Sequence, residues 1–100
     1  MVNQKQLTAE IVMYSTQFCP YCVRARQLLQ SKGLGYREIA VDHNLELRHE
    51  MMEKSGRRTV PQIWIGDNHI GGFTDLNRLE SSGQLDQLVY GPLHKLNKNV

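Results

Sequence analysis

Ile11-Val12-Met13-Tyr14-Ser15-Thr16-Gln17-Phe18-Cys19-Pro20-Tyr21-Cys22 is the stretch on which the fold turns. Ile11 to Tyr14 is a continuous apolar run, the pattern of a short strand buried on both faces. Ser15 to Phe18 reads as a loop. Pro20 suits the first turn of a helix, where a missing N–H costs nothing. Beyond it Cys22, Ala25, Leu28 and Leu29 share one helical face, with Arg24, Arg26, Gln27 and Gln30 elsewhere, and Gly33 and Gly35 end the helix. Strand, loop and helix therefore meet at Cys19-Pro20-Tyr21-Cys22, which holds the only two cysteines of the chain. Two thiols two residues apart build no disulfide framework. They serve as a redox pair or as half of a metal site.

Working outward, Tyr36 to Val41 is a second strand candidate. Asp42 and Asn44 are candidate caps for a helix from about Leu45 to Ser55, where Leu47, Met51 and Lys54 share a face and Gly56 is the stop. Pro61 stands at the start of a strand, Gln62-Ile63-Trp64-Ile65, a position that tolerates proline. Gly66-Asp67-Asn68 is a turn signal, and His69-Ile70 pairs back as an antiparallel hairpin. Gly71-Gly72 ends the sheet. Thr74 is read as the cap of a helix from Asp75 to about Ser82, closed by Gly83, and Gln84 to Tyr90 as a last helical piece. His94 to Val100 is expected to fray. The order is β-α-β-α-β-β-α, an α/β fold with a four-stranded mixed sheet flanked by helices. The first three strands are expected to run parallel through right-handed crossovers, with the last two as the hairpin. The cysteine pair then lies at the carboxyl end of a strand, where open α/β sheets place their ligands.

A length of 100 residues predicts a single domain over 1–100, with its core at about 10–90 and short segments at either end. With 12 Lys plus Arg against 10 Asp plus Glu, the charge bias is too small to propose a nucleic-acid partner. Met1 to Gln6 has no apolar signal-peptide core, and no apolar run approaches the roughly 20 residues that span a bilayer. A cytoplasmic protein without a membrane is the expectation, and in that reducing compartment a vicinal Cys pair is catalytic or metal-binding more often than structural. Two further ligands at zinc-site spacing are missing, so no metal is expected.

Cys19-Pro20-Tyr21-Cys22, then Thr59-Val60-Pro61, then Gly71-Gly72-Phe73-Thr74-Asp75 resemble the three signature segments of a dithiol glutaredoxin, in that family's order and at its spacings. A lone CxxC is weak evidence; the three together are highly specific, and the similarity spans roughly residues 10 to 90. It implies a thioredoxin-like (glutaredoxin) fold, and the residue physics agrees. Cys19 at the N-cap of the first helix meets unpaired N–H groups and the positive end of the dipole, which favour its thiolate. Cys22, one turn in, faces inward and is expected to be less acidic. Cys19 would attack and Cys22 resolve.

The resemblance also implies a cis Val60–Pro61 bond. This would turn the backbone N–H and C=O of Val60 toward the cysteine loop, where the cysteinyl unit of glutathione pairs as an added strand. It implies an anion site at the helix start, where Thr74, Asp75, Phe73 and Gly72 would hold the amine and α-carboxylate of the γ-glutamyl group. Arg58 and Gln62 flank Thr59-Val60-Pro61 and match positions used for the glycine carboxylate, and Tyr21 would pack beside the substrate. Thr16 stands where many members carry Lys, a minor contact without the charge. Trp64 reads as core, and none of the four His falls in the matching segments as a catalytic group.

The implied activity is reduction of glutathione mixed disulfides and protein disulfides. Glutathione would be the cosubstrate, an NADPH and glutathione reductase system would act indirectly, no cofactor would be bound, and the protein would be a monomer. Two alternatives keep the fold: a redoxin fed by thioredoxin reductase, and a glutathione-ligated iron–sulfur carrier, which Pro20 and Cys22 disfavour.

Overall fold

The computed structural model describes residues 9–91. The readings for Met1 to Gln6 and for His94 to Val100 lie outside the described residues. The elements are β1 (Ile11–Ser15), α1 (Pro20–Ser31), β2 (Arg37–Ala40), α2 (Leu45–Ser55), β3 (Gln62–Ile65), β4 (Asn68–Gly71), α3 (Phe73–Ser82) and α4 (Gln84–Tyr90). The four strands form one mixed sheet in the order β2-β1-β3-β4. It is the thioredoxin-like architecture expected from the sequence, with four helices flanking the sheet.

The two-residue period of the strands sorts their side chains onto opposite faces. Ile11 and Met13 of β1 and Ile63 and Ile65 of β3 pack with Ala25 and Leu29 of α1, Leu76 of α3, and Leu85 and Val89 of α4. Tyr14 and Trp64 point the other way, into a smaller core with Val41, just past β2, and Met51 of α2. The continuous apolar runs in β1 and β3 follow from this, since both faces of the central strands are covered. Edge strand β2 is largely exposed.

Helix α2 begins where expected because the Asn44 side chain accepts from the Leu47 N–H at 3.0 Å. It ends at Gly56, whose φ of 73° gives the left-handed cap that an L side chain resists.

One expectation is corrected. β1 and β2 are parallel, with Ser15 opposite Ala40, but β3 runs antiparallel to β1, with Gln62 opposite Tyr14. A helical crossover need not carry the chain back to the far end of the sheet. Here α2 leaves from the carboxyl end of β2 and the chain re-enters β3 at that same end. Thr59-Val60-Pro61 is thereby delivered to the carboxyl ends of β1 and β2, beside the loop that carries the cysteines.

Candidate active site

Cys19 is the N-cap of α1, with extended backbone (φ −84°, ψ 120°) and Pro20 in the first helical turn. Its thiol is partly exposed and donates to the Val60 carbonyl oxygen at 3.5 Å. Cys22, three residues on, turns into the fold and is 0% exposed. Both cysteines are free thiols. Burial pushes the Cys22 thiol up to about 12; a backbone hydrogen bond from Thr16 pulls the other way and the adjacent Cys19 thiol adds to the rise. Cys22 is therefore a neutral thiol at pH 7, and Cys19 is the sulfur that solvent reaches.

The loop beneath the pair is held from below. Arg26 of α1 donates to the Thr16 carbonyl at 3.1 Å and lies 2.6 Å from the Glu38 carboxylate of β2, which also accepts from the Ser15 hydroxyl. Burial alone would raise the Glu38 carboxyl, but Arg26 and Ser15 outweigh it and hold it below its usual range. Thr16 thus contributes its backbone on both sides, to Arg26 and to Cys22.

The segment before β3 forms a second wall. The Val60–Pro61 peptide is cis, as the resemblance implied, and Val60 presents its carbonyl to Cys19. Gln62 is 0% exposed. Its Nε2 donates to the Thr59 carbonyl at 3.0 Å and to the Thr59 hydroxyl at 3.2 Å, and its Oε1 is 2.7 Å from His69 Nε2. Its amide is thus engaged inside the protein. Arg58 is exposed; its carbonyl accepts from Arg48 at 3.4 Å, and its guanidinium forms no ion pair among the described residues.

A third wall is the start of α3. The cap expected at Thr74 lies two residues too late. The N-cap is Gly72, the helix begins at Phe73, and Thr74 is an exposed residue inside the first turn. Glycine has no side chain to cap with, so Asp75 reaches back and accepts from the Gly72 N–H at 3.0 Å. Gly71, at φ 116°, leaves room for this, since a Cβ there would run into the Asp75 carboxylate. Asp75 also pairs with Arg57 at 3.3 Å and Arg78 at 3.7 Å. The Gly72 N–H, helped by both arginines and opposed by burial, holds its carboxyl below the usual range. Phe73 is half-buried against the larger core.

At the rim, Phe18 is 85% and Tyr21 53% exposed, and the Arg24 guanidinium lies 5.6 Å from the centre of the Tyr21 ring. Cys19 thus lies beside Cys22 and against Val60, Val60 is flanked by Thr59 and Pro61, the Pro61 carbonyl lies next to Gly72, and Gly72 is hydrogen-bonded to Asp75. Arg57, Arg26 and His69 join the site without having been singled out from the sequence. Arg57 alone had a signal, lying between a helix stop and the Thr59-Val60-Pro61 segment. Among the described residues no cluster of three or more His, Cys, Asp or Glu is placed to hold a metal ion, and no helix is long and apolar enough to cross a membrane.

This arrangement has known counterparts. The glutaredoxin family model matches residues 11–70. A glutaredoxin of Pseudomonas aeruginosa is 56% identical over 79 residues, which cover 79% of this chain and 94% of that protein. The solution structure of glutaredoxin from Brucella melitensis is 48% identical and superposes with a TM-score of 0.74 over 82% of this chain and 89% of that one. A crystal structure of a buckwheat glutaredoxin–glutathione complex, 28% identical, superposes with a TM-score of 0.75 over 82% of this chain and 77% of its own.

Proposed function

The chain belongs to the glutaredoxin family, a family of thiol–disulfide oxidoreductases, and from that premise we propose that it reduces glutathione mixed disulfides and protein disulfides at the expense of glutathione. The observation that carries this reading is the asymmetry of the two sulfurs: Cys19 is reachable and lies against the Val60 carbonyl, while Cys22 is wholly buried beside it.

With a glutathione mixed disulfide, the Cys19 thiolate attacks the glutathione sulfur. The bond between glutathione and the client breaks, a Cys19–glutathione disulfide forms, and the client leaves as a thiolate that takes up a proton. A second glutathione thiolate then attacks that glutathione sulfur, and Cys19 leaves as thiolate with oxidised glutathione as product. With a protein disulfide, Cys19 forms a mixed disulfide with one client sulfur and releases the other. Cys22 gives up its proton and attacks Cys19 Sγ, the second client sulfur leaves, and two glutathiones reduce the Cys19–Cys22 disulfide. NADPH regenerates glutathione through a separate reductase.

Binding in this reading uses the three walls. The cysteinyl unit pairs with the backbone of Val60, the Asp75 carboxylate receives the γ-glutamyl ammonium, and free N–H groups at the start of α3 receive its α-carboxylate. The glycine carboxylate falls to the Arg58 side, where a guanidinium can pair with both oxygens. Tyr21 lies alongside. The buckwheat protein's complex with glutathione supports the choice of cosubstrate. The same proposal takes the protein as a monomer in a reducing compartment, with no resident cofactor.

The test is NADPH oxidation coupled through glutathione, glutathione reductase and a glutathione mixed disulfide. Turnover that vanishes in Cys19→Ser is the expected result. No turnover from folded, reduced protein would overturn the glutathione-dependent reading, and turnover with thioredoxin reductase alone would identify the electron donor instead.

A further inference from the structure

Gln62 is a buried polar side chain that the reaction above does not use. Its amide has a forced orientation. The Thr59 carbonyl oxygen can only accept, so the end of Gln62 that faces Thr59 at 3.0 and 3.2 Å is the NH2 group. The other end, Oε1, carries no proton. It lies 2.7 Å from His69 Nε2, so the imidazole must donate, and the ring proton sits on Nε2. Burial lowers the His69 pKa, with Arg57 adding to the fall and Asp75 opposing it, so the ring is neutral at pH 7 and this is its single N–H.

The ring is held where it can do this. A bulge beside Ile63 and Trp64 sets His69 opposite Trp64, and the two rings lie 4.7 Å apart at 37°. Lys54 lies over the Trp64 ring at 5.1 Å. His69 therefore stands at one end of a hydrogen-bonded line through Gln62 to Thr59, and Thr59 is bonded in sequence to Val60, whose carbonyl meets Cys19.

We propose that His69 is a positioning residue: by donating to Gln62 Oε1 it locks the Gln62 amide, and the locked amide fixes Thr59 and with it the Val60 backbone against which glutathione docks. The inference rests on the glutathione reading for its substrate. It differs from any role at the sulfurs, since His69 touches neither cysteine. If the donor is removed, Oε1 is left buried without a partner. If the amide then flips to escape, Oε1 faces the two oxygens of Thr59. Unflipped, the amide still reaches Thr59 but is no longer locked; flipped, it loses the Thr59 carbonyl, which cannot donate, and keeps only the hydroxyl, so the restraint on Thr59 weakens.

His69→Leu fills the space and removes the donor, while His69→Gln restores an N–H at the reach of Nε2. The Leu variant is expected to raise KM for a glutathione mixed disulfide by about fivefold, the scale of one net hydrogen bond, with kcat little changed. It should also speed exchange of the Gln62 side-chain amide protons, and His69→Gln should return both readouts toward wild type. Wild-type values in the Leu variant would overturn the proposal. Equal losses in Leu and Gln would also overturn it, because the ring would then be acting by its bulk. Nitrogen chemical shifts of the His69 ring in the unmodified protein give a check that needs no variant: a proton on Nδ1 instead of Nε2 at pH 7 refutes the relay. Absence of glutathione turnover in the wild type would instead sink the functional reading, while the exchange and tautomer measurements would still decide the role of His69.

Discussion

At the scale of single residues, division of labour follows from exposure. Cys22 is held as a neutral thiol by burial, so it cannot compete with Cys19 for an incoming disulfide, and it acts once Cys19 is itself part of one. Cys22→Ser is therefore expected to keep reduction of glutathione mixed disulfides, which needs one sulfur, and to lose reduction of protein disulfides, which needs two. Survival of both reactions in that variant would remove the resolving role. Asp75 makes a different kind of contribution. Its carboxylate already faces Arg57 and Arg78 and accepts from Gly72, so the negative charge is present before substrate arrives. Asp75→Asn keeps an oxygen for Gly72 and removes the charge. KM for the mixed disulfide should rise by about tenfold, the size of a charge-assisted hydrogen bond, with kcat near wild type. An unchanged KM would mean that the substrate ammonium goes elsewhere.

At the scale of elements, the start of α3 shows how backbone and site depend on each other. Gly71 sits at φ 116° directly under the Asp75 carboxylate. Gly71→Ala adds both a strained dihedral and a clash, and should cost about 1–3 kcal/mol while displacing Asp75, so stability and KM worsen together. Asn44→Ala is the contrasting case. It removes the cap of α2, a side chain that bonds to the Leu47 N–H inside its own helix, and should cost about 1 kcal/mol in urea unfolding with turnover unchanged. The elements themselves were legible because apolar period and punctuation are local: α2 was read at Leu45 to Ser55, and the hairpin at Gln62 to Ile70. The direction of β3 was not, because the alternation of a strand reads the same from either end and α2 can return the chain to either end of the sheet. The cap of α3 was misplaced for a similar reason. Gly72 has no side chain to announce it, and Thr74 in the first turn has the composition of a cap. In the site, Cys19, Cys22 and Pro61 were legible as neighbours in short motifs. Arg57 and His69 were not, since their partners Asp75 and Gln62 lie on other elements and only the assembled sheet brings them within hydrogen-bond distance.

At the scale of the whole molecule, the sheet is clamped between two cores, and the groups that titrate abnormally sit where helices, loops and strands are tied together. Glu38 links β2 to α1 and to the end of β1, and Asp75 links α3 to the segment before β3. Both carboxyls are held below their ordinary values, 4.5 and 3.8. The unfolded chain therefore binds more protons than the native one in that range, and stability rises with pH through it. The stabilisation is complete above about pH 4.5 and is lost as the pH falls through the depressed folded values. Cys22 has the opposite sign. Its thiol is raised from 9.0 to about 12, so the native state holds its proton more tightly, and that contribution is complete below pH 9 and lost as the pH climbs toward 12. Stability against urea should thus form a plateau from about pH 7 to 9 and fall on both sides, the acid fall starting with His69, held below its ordinary 6.5, and steepening where the carboxyls titrate. Trp64 is the only tryptophan and lies in the smaller core, so its fluorescence reports the transition. Each flank has its own control: Arg26→Gln should flatten the acid limb by releasing Glu38, and Cys22→Ala should flatten the alkaline limb. An acid limb as steep in Arg26→Gln as in the wild type would show that Glu38 takes no part in it. An alkaline limb unmoved by Cys22→Ala would pass that limb to Tyr14, which burial and Glu50 raise in the same direction against the opposing pull of Lys54.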